Sequence, residues 1–92
     1  MTDPVISTVE IPNRLGMHAR AAAKLVQLAG RYAASIEVEK DGQKADAKSI
    51  MGVLLLCGHQ GASLSMRAQG PDAHDAVLAL TELVRDGFGE DP

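Results

Sequence analysis

Two amphipathic segments, one in the first third of the chain and one near its end, set the strongest limit on the fold. The first, over residues 19–31, repeats apolar side chains at helical spacing: Ala22, Leu25, Val26 and Ala29. The second, which reaches residue 84 or 85, carries a similar stripe: Ala73, Ala76, Val77, Leu80, Leu83 and Val84. Because 92 residues build only one modest core, both helices must pack on the same sheet.

Short alternating segments between these helices supply the sheet. Strands are predicted over residues 5–11, 35–39, 43–47 and 63–68. Asp41-Gly42 is a strong hairpin turn, Ser49 suits the N-cap of a short helix to about residue 56, and Pro71-Asp72 suit the opening turn of the last helix. The order β-α-β-β-α-β-α predicts a two-layer α+β sandwich with three helices on one face of four strands. The pattern leaves the strand order open, a ferredoxin-like order included.

Composition and charge exclude several classes of function. A net charge of −3, one Phe, one Tyr and no Trp argue against a nucleic-acid platform. The longest apolar run, residues 53–57, is too short to cross a bilayer, and the acidic start does not read as a signal peptide. The single cysteine, Cys57, predicts a buried, reduced thiol in the cytoplasm. Three histidines and one cysteine lack zinc spacing, so we expect no metal and no cofactor.

A histidine stands between the first strand and the first helix, in Leu15-Gly16-Met17-His18-Ala19-Arg20. The first backbone N–H groups of a helix lack intrahelical partners and carry the positive end of its dipole. Arg20 adds a forked, permanently charged donor suited to phosphate. A phosphate on His18 would therefore find donors already in place. A histidine at a helix start also often serves only as a cap or a surface residue, and this alternative stays open.

Residues 15–22 resemble the active-site segment of the HPr family, the histidine phosphocarriers of the bacterial phosphotransferase system. Residues 48–52 resemble the segment with the family's regulatory serine, and residues 68–73 and 86–91 resemble the end of the nitrogen-branch member, NPr. The resemblance implies one HPr-like domain over residues 1–92, with an antiparallel sheet in the order 1-4-2-3. Ala21 departs from the family's usual proline, and we expect altered loop rigidity without loss of chemistry.

The resemblance also implies a reaction. Nδ1 of His18 would attack a phosphoryl group held on a histidine of Enzyme I and later pass it to an EIIA-type protein. The backbone N–H groups of Ala19 and Arg20, with the Arg20 guanidinium, would stabilise the transferred group. Such a carrier has no independent turnover of a small substrate, and we expect a monomer. The residues alone do not separate sugar transport from nitrogen regulation.

The short helix carries predictions about regulation and docking. Ser49 is read as a helix cap and, by resemblance, as the target of an HPr kinase/phosphorylase, where phosphate adds roughly −1.5 to −2 charges. Val53 should face inward together with Leu56 or Leu55. The residues expected to form a partner-docking patch with a basic rim are Ile50, Met51, Leu54, Lys24 and Lys48. The alternatives are a fully buried helix and lysines that are merely solvated.

Two classes of function follow from these residues. One is a phosphocarrier, and the other is a catalytically silent regulatory module that binds partners through the Ile50–Leu54 patch and Ser49. The presence of His18 and Arg20 favours the carrier over the silent module. A third class, an unrelated small α+β binding domain, would require the ordered motif match to be chance. Residues 90–92 read as a solvated end, frayed beyond Phe88.

Overall fold

The computed structural model describes residues 3–56 and 58–90, and all the predicted elements are present. They are Val5–Glu10 (β1), Ala19–Ala29 (α1), Ser35–Lys40 (β2), Gln43–Asp46 (β3), Ile50–Leu55 (α2), Ser63–Gln69 (β4) and Ala73–Arg85 (α3). Their ends fall within two residues of the predicted ones. Helix α1 stops two residues earlier than expected because the hydrogen-bond pattern tightens after Gly30: the N–H groups of Arg31 and Tyr32 donate to carbonyls three residues back, at 3.1 and 3.2 Å. The prediction for Cys57 lies outside the described residues.

The four strands form one antiparallel sheet in the order β1-β4-β2-β3. Strand β4 lies at the centre, where Leu64 pairs with Val9 of β1 and Ala68 pairs with Ile36 of β2. Strand β3 pairs only with β2, through the hairpin at Asp41-Gly42. The order implied by the family resemblance is therefore confirmed, and the ferredoxin-like alternative is excluded.

Both amphipathic helices bury their apolar stripes on the same side of the sheet. The fully buried residues of α1 and α3 include Ala22, Leu25, Ala29, Ala76, Leu80 and Val84. They belong to one core with the inward-facing strand residues Val9, Ile36, Val38, Leu64 and Met66. The opposite face of β4 carries the polar residues Ser63, Ser65, Arg67 and Gln69. The alternation of β4 thus separates a covered face from an open one.

No helix in the described ranges combines the length and the apolar content that crossing a bilayer requires.

Asp72 precedes α3, as predicted, but its side chain does not cap that helix. Its carboxylate instead accepts the backbone N–H groups of Ala33 and Ala34, each at 2.8 Å, in the loop between α1 and β2. The hydrogen bond from the Ala33 N–H is the main cause that holds the pKa of Asp72 below its usual value. The hydrogen bond from Ala34 and the positive charge of Lys48 lower this pKa further, whereas burial raises it. Asp72 therefore ties the start of α3 to the entry of β2.

We predict that Leu80→Ala lowers the free energy of unfolding by about 3 kcal/mol, because it opens a cavity beneath α3. Leu80 is 0% exposed, whereas Leu78 on the same helix is 54% exposed. Leu78→Ala should therefore change stability by less than about 0.5 kcal/mol. Chemical denaturation of both variants measures the difference, and equal losses would contradict the assignment of the buried face.

Candidate functional site

His18 lies at the N-cap of α1 with extended backbone angles, φ −80° and ψ 177°. The loop that delivers it bends at Gly16, whose φ of +64° favours glycine. A Cβ at Gly16 would lie 2.4 Å from the carbonyl oxygen of Gly58. The loop thus packs directly on the backbone that follows α2, and the Met17 N–H donates to the same Gly58 oxygen at 2.8 Å. Gly16 therefore allows a close approach between two loops.

One ring nitrogen of His18 faces the helix. Nδ1 accepts the backbone N–H of Arg20 at 3.2 Å, so the ring caps one of the unpaired donors of the first turn. The side chain is 26% exposed, which leaves the ring open to solvent. The backbone N–H of Arg20, which donates to Nδ1 in the cap, is also a donor that a bound phosphoryl oxygen could use.

The other ring nitrogen faces a carboxylate that the sequence did not predict. Nε2 of His18 contacts Oε2 of Glu90, and Oε1 of Glu90 accepts the side-chain N–H of Asn13 at 2.7 Å. The Glu90 side chain is only 19% exposed. The expectation of a frayed, solvated end is therefore wrong at Glu90, because this acidic side chain meets two donors.

A left-handed turn, Gly87–Gly89, brings Glu90 to the site. Its three residues all have positive φ, at 65°, 59° and 76°. The flanking glycines adopt this conformation freely, and Phe88 tolerates it while its ring is buried at 1% exposure. Lys24 of α1 then donates from Nζ to the carbonyl oxygen of Phe88 at 2.7 Å. An aromatic anchor and one lysine hold the end of the chain against α1.

Glu90 is held in its ionised form. Burial is the largest single influence on its pKa and acts to raise it, but the hydrogen bonds from His18 and Asn13 act to lower it. The charges of His18 and Lys24 act in the same direction. The net result is a pKa below the ordinary value of 4.5, so a carboxylate faces His18 at neutral pH.

The guanidinium of Arg20 is exposed, and among the described residues it has no hydrogen bond or ion pair with another side chain. Only its backbone N–H reaches His18. Ala21, in the same turn, is fully buried. The predicted role of Arg20 as a phosphate donor is compatible with this exposed charged group two residues from His18.

Ser49 caps α2, as predicted. Its hydroxyl accepts the Gly52 N–H at 3.2 Å, and its own side chain is partly exposed. Lys48, next to it, donates from Nζ to the Tyr32 carbonyl at 2.8 Å, near the C-terminus of α1. Lys24 and Lys48 are thus both engaged by backbone carbonyls, although each is exposed enough to present charge at the rim.

The exposed apolar surface on α2 differs in part from the predicted patch. Ile50 and Met51 are 42% and 63% exposed, as expected, and Val53 is buried together with Leu56. Leu54 is half-buried against the core, whereas Leu55 is 69% exposed. Outside α2, Leu15 in the loop before His18 is 67% exposed. We define the apolar patch by the four exposed side chains, Leu15, Ile50, Met51 and Leu55.

Two concavities lie on the surface of the described residues. The larger, about 540 Å³, lies beside the open face of the sheet and is lined by Glu37, Asp46, Lys48 and Arg67, among others, with no residue of the His18 site. The smaller, about 190 Å³, adjoins that site and is lined by Pro12, Asn13, Arg85, Asp86, Gly87 and Glu90. Within the described ranges, no three His, Cys, Asp or Glu side chains are grouped so as to hold a metal ion.

Known proteins resemble this chain over most of its length, the residues of the His18 loop included. The model of the family described as "PTS HPr component phosphorylation site" matches residues 5–86. Phosphocarrier protein HPr of Cupriavidus necator is 45% identical over 80 residues, which cover 87% of this chain and 90% of that protein. Phosphocarrier protein NPr of Escherichia coli is 40% identical over 88 residues, which cover 95% and 98% of the two chains.

Solved structures show the same likeness. The crystal structure of HPr-C-His from Thermoanaerobacter tengcongensis superposes with a TM-score of 0.92 at 43% identity, covering 96% of this chain and 99% of that one. HPr of the same organism has also been crystallised as a dimer, with a TM-score of 0.76 at 43% identity and coverage of 98% and 100%.

We predict a pH-dependent contribution of Glu90 to stability. Because its folded pKa lies below 4.5, the contribution is fully present above pH 4.5 and is lost as the pH falls through the folded value. The difference in unfolding free energy between the wild type and Glu90→Gln, measured by denaturation from pH 7 to pH 3, should therefore close at the acid end. Glu82→Gln, an exposed position on α3, is the matched control and should stay close to the wild type. A difference that is constant or that widens below pH 4 would contradict the contact.

Proposed function

Because the chain belongs to the HPr family of phosphotransferase-system phosphocarriers, we propose that His18 accepts a phosphoryl group from Enzyme I and passes it to an EIIA-type protein. The observation that supports this assignment is the direction of the ring. Nδ1 lies at the N-terminus of α1 on the Arg20 N–H, while Nε2 is turned toward Glu90. The nitrogen at the anion-binding end of the helix is therefore the nucleophile.

The transfer needs only a small rearrangement at Nδ1. Its lone pair attacks phosphorus, the N–P bond to the donor histidine breaks, and that electron pair returns to the donor nitrogen. The Arg20 N–H, which Nδ1 accepts before the reaction, then becomes available to a phosphoryl oxygen. The Ala19 N–H is a further donor of the same turn, and the exposed Arg20 guanidinium can close on the phosphoryl group.

We propose that partners dock on the apolar patch. Its four side chains are exposed, and the close packing of Gly16 against Gly58 joins the loop of His18 to the end of α2. An apolar surface beside a reactive residue suits a short-lived complex. Leu54 then supports the patch from beneath, and Lys24 and Lys48 provide positive charge for an acidic partner surface.

Ser49 is proposed as a regulatory phosphorylation site for a kinase of the HPr kinase/phosphorylase type. Its hydroxyl is partly exposed and adjoins Ile50 and Met51. Phosphorylation would place roughly −1.5 to −2 charges at the edge of the patch, where they would repel an acidic partner. The cap to Gly52 gives the unmodified serine its structural role.

Several finer assignments belong to the same proposal. Phosphoenolpyruvate is made in the cytoplasm, so a carrier that draws on it acts there. We propose that this protein acts as a monomer, since one copy of the apolar patch is enough to meet donor and acceptor in turn. Relatives carry both the HPr and the NPr names, and activity with the sugar-branch or the nitrogen-branch Enzyme I decides between sugar transport and nitrogen regulation.

We predict that phosphoenolpyruvate and Enzyme I add one phosphoryl group to the wild type and none to His18→Ala, as read by intact mass. The product should be acid-labile and alkali-stable, and Arg20→Ala should slow its formation by about tenfold or more. His59→Ala, at an exposed position, is the matched control and should label normally. Labelling of His18→Ala would disprove the site. A wild type that stays unlabelled with both Enzyme I branches would favour the silent regulatory module.

We also predict that Met51→Glu raises the apparent KM for Enzyme I by about tenfold, because it places an unpaired charge in a docking surface. Met51 is 63% exposed, so the fold should be preserved. Leu78→Glu, at a 54% exposed position on α3, makes the same change away from the patch and should leave KM within twofold of the wild type. Steady-state phosphorylation measures both. An equal effect of the two variants would remove the patch from the proposal.

A further inference from the structure

We propose that Glu90 is a positioning residue that keeps a proton on Nε2 of His18 through both steps of phosphoryl transfer. The inference rests on the proposed function, because it assigns a role to a carboxylate that acts through the His18 ring. Glu90 contacts the nitrogen that does not react, so its influence passes through the ring to Nδ1.

Asn13 determines which oxygen of the Glu90 carboxylate faces His18. Its amide nitrogen donates one hydrogen to the Gly16 carbonyl at 2.9 Å and the other to Oε1 of Glu90 at 2.7 Å. Asn13 is 1% exposed, and its Oδ1 has no protein partner among the described residues. Turning the amide over would place that oxygen against two acceptors, so Asn13 must donate to Glu90. The second carboxylate oxygen is then left for Nε2.

The two ends of the ring specify the same tautomer. Oε2 of Glu90 is an acceptor, so Nε2 carries a hydrogen. The Arg20 N–H is a donor, so Nδ1 presents its lone pair. A neutral ring held in this way has its nucleophilic nitrogen at the helix N-terminus without any proton transfer before the reaction.

The chemistry shows why the proton on Nε2 matters. When Nδ1 forms its bond to phosphorus, the ring becomes an N-phosphorylated imidazolium with its Nε2–H still in place. Its positive charge then faces the Glu90 carboxylate. When the acceptor attacks phosphorus, the N–P bond breaks and the electron pair returns to Nδ1, which leaves a neutral imidazole. Without the proton on Nε2, the leaving group would be an imidazolate anion, and donation would be slower.

Other charged groups near Glu90 are accounted for. Lys24 is bonded to the Phe88 carbonyl, and Arg85 and Asp86 line the small cavity of about 190 Å³ that Asn13 and Glu90 also line. None of the three has a hydrogen bond or ion pair with His18 in the described part of the chain. Glu90 is therefore the carboxylate that neutralises the positive charge of the phosphorylated His18 ring.

A carboxylate suits this position better than an amide. Asn13 and His18 both donate toward residue 90, and a carboxylate offers each of them an oxygen. Glutamine offers one oxygen and one NH2 group, so one of the two donors would face another donor. Glu90→Gln should therefore damage the arrangement at least as much as Glu90→Ala.

The test compares the wild type, Glu90→Ala, Glu90→Gln and the control Glu82→Gln, each uniformly labelled with ¹⁵N and phosphorylated with phosphoenolpyruvate and Enzyme I. At a fixed pH of about 7.5, ¹⁵N NMR reports whether Nε2 of the phosphorylated ring carries a proton. Rapid-quench kinetics gives the single-turnover rate of donation to an EIIA-type protein.

We expect a protonated Nε2 in the wild type and in Glu82→Gln, and loss of that proton from a large fraction of both Glu90 variants. Donation by the Glu90 variants should fall about tenfold, toward the low end of the effect of removing a histidine's carboxylate partner at metal centres. Nε2 signals and rates that match the wild type would overturn the inference while leaving His18 as the carrier. A wild type that accepts no phosphoryl group would overturn the proposed function itself.

Discussion

The requirement that two amphipathic helices share one sheet face determines where residues 13–18 and 87–90 meet. With the order β1-β4-β2-β3, helix α3 packs across β1 and β4 and ends beside the loop that follows β1. That loop holds Asn13 and leads to His18. The buried ring of Phe88 then turns the chain back, so that Glu90 reaches a site 72 residues away in sequence. The geometry of the ring thus depends on the packing of the whole domain.

At the site itself, the matching of hydrogen-bond donors with acceptors fixes the orientation of the His18 ring. The first turn of α1 must find acceptors for its N–H groups, and the ring of His18 supplies one at Nδ1. Asn13 can only donate toward Glu90, which leaves one carboxylate oxygen for Nε2. Each hydrogen bond limits the choices of the next, so Nδ1 faces the N-terminus of α1 with its lone pair toward the Arg20 N–H.

Helical and strand periodicity predicted nearly the whole secondary structure, because local side-chain patterns record which face of an element is buried. The local pattern did not predict the strand order, because strand pairing depends on contacts between residues far apart in the sequence. Only the family resemblance implied that order. The pattern left open whether Leu55 or Leu56 joins Val53 in the core, because the six residues of α2 give too short a period to fix its phase; Leu56 is the buried one, and Leu55 is exposed. Asp72 was placed correctly, yet its partners Ala33 and Ala34 lie 39 and 38 residues away and no local rule reveals them.

Glu90 was the main residue of the candidate site that the sequence did not reveal. Acidic residues at a chain end usually are solvated, and nothing beside Glu90 in sequence indicates a partner. The signal that was present is the Gly-Phe-Gly segment, in which two glycines flank the only phenylalanine of the chain. Such a pair permits the left-handed turn that buries the ring, and a buried anchor near the end indicates that the following residue is held.

The most direct test of the account is to identify the ring nitrogen that carries phosphorus. The protein is labelled with ¹⁵N at histidine, phosphorylated with phosphoenolpyruvate and Enzyme I, and studied by ¹⁵N and ³¹P NMR. We expect one phosphorus–nitrogen coupling, assigned to Nδ1 of His18, with the remaining proton on Nε2. Coupling to Nε2, or to the ring of His59 or His74, would contradict it.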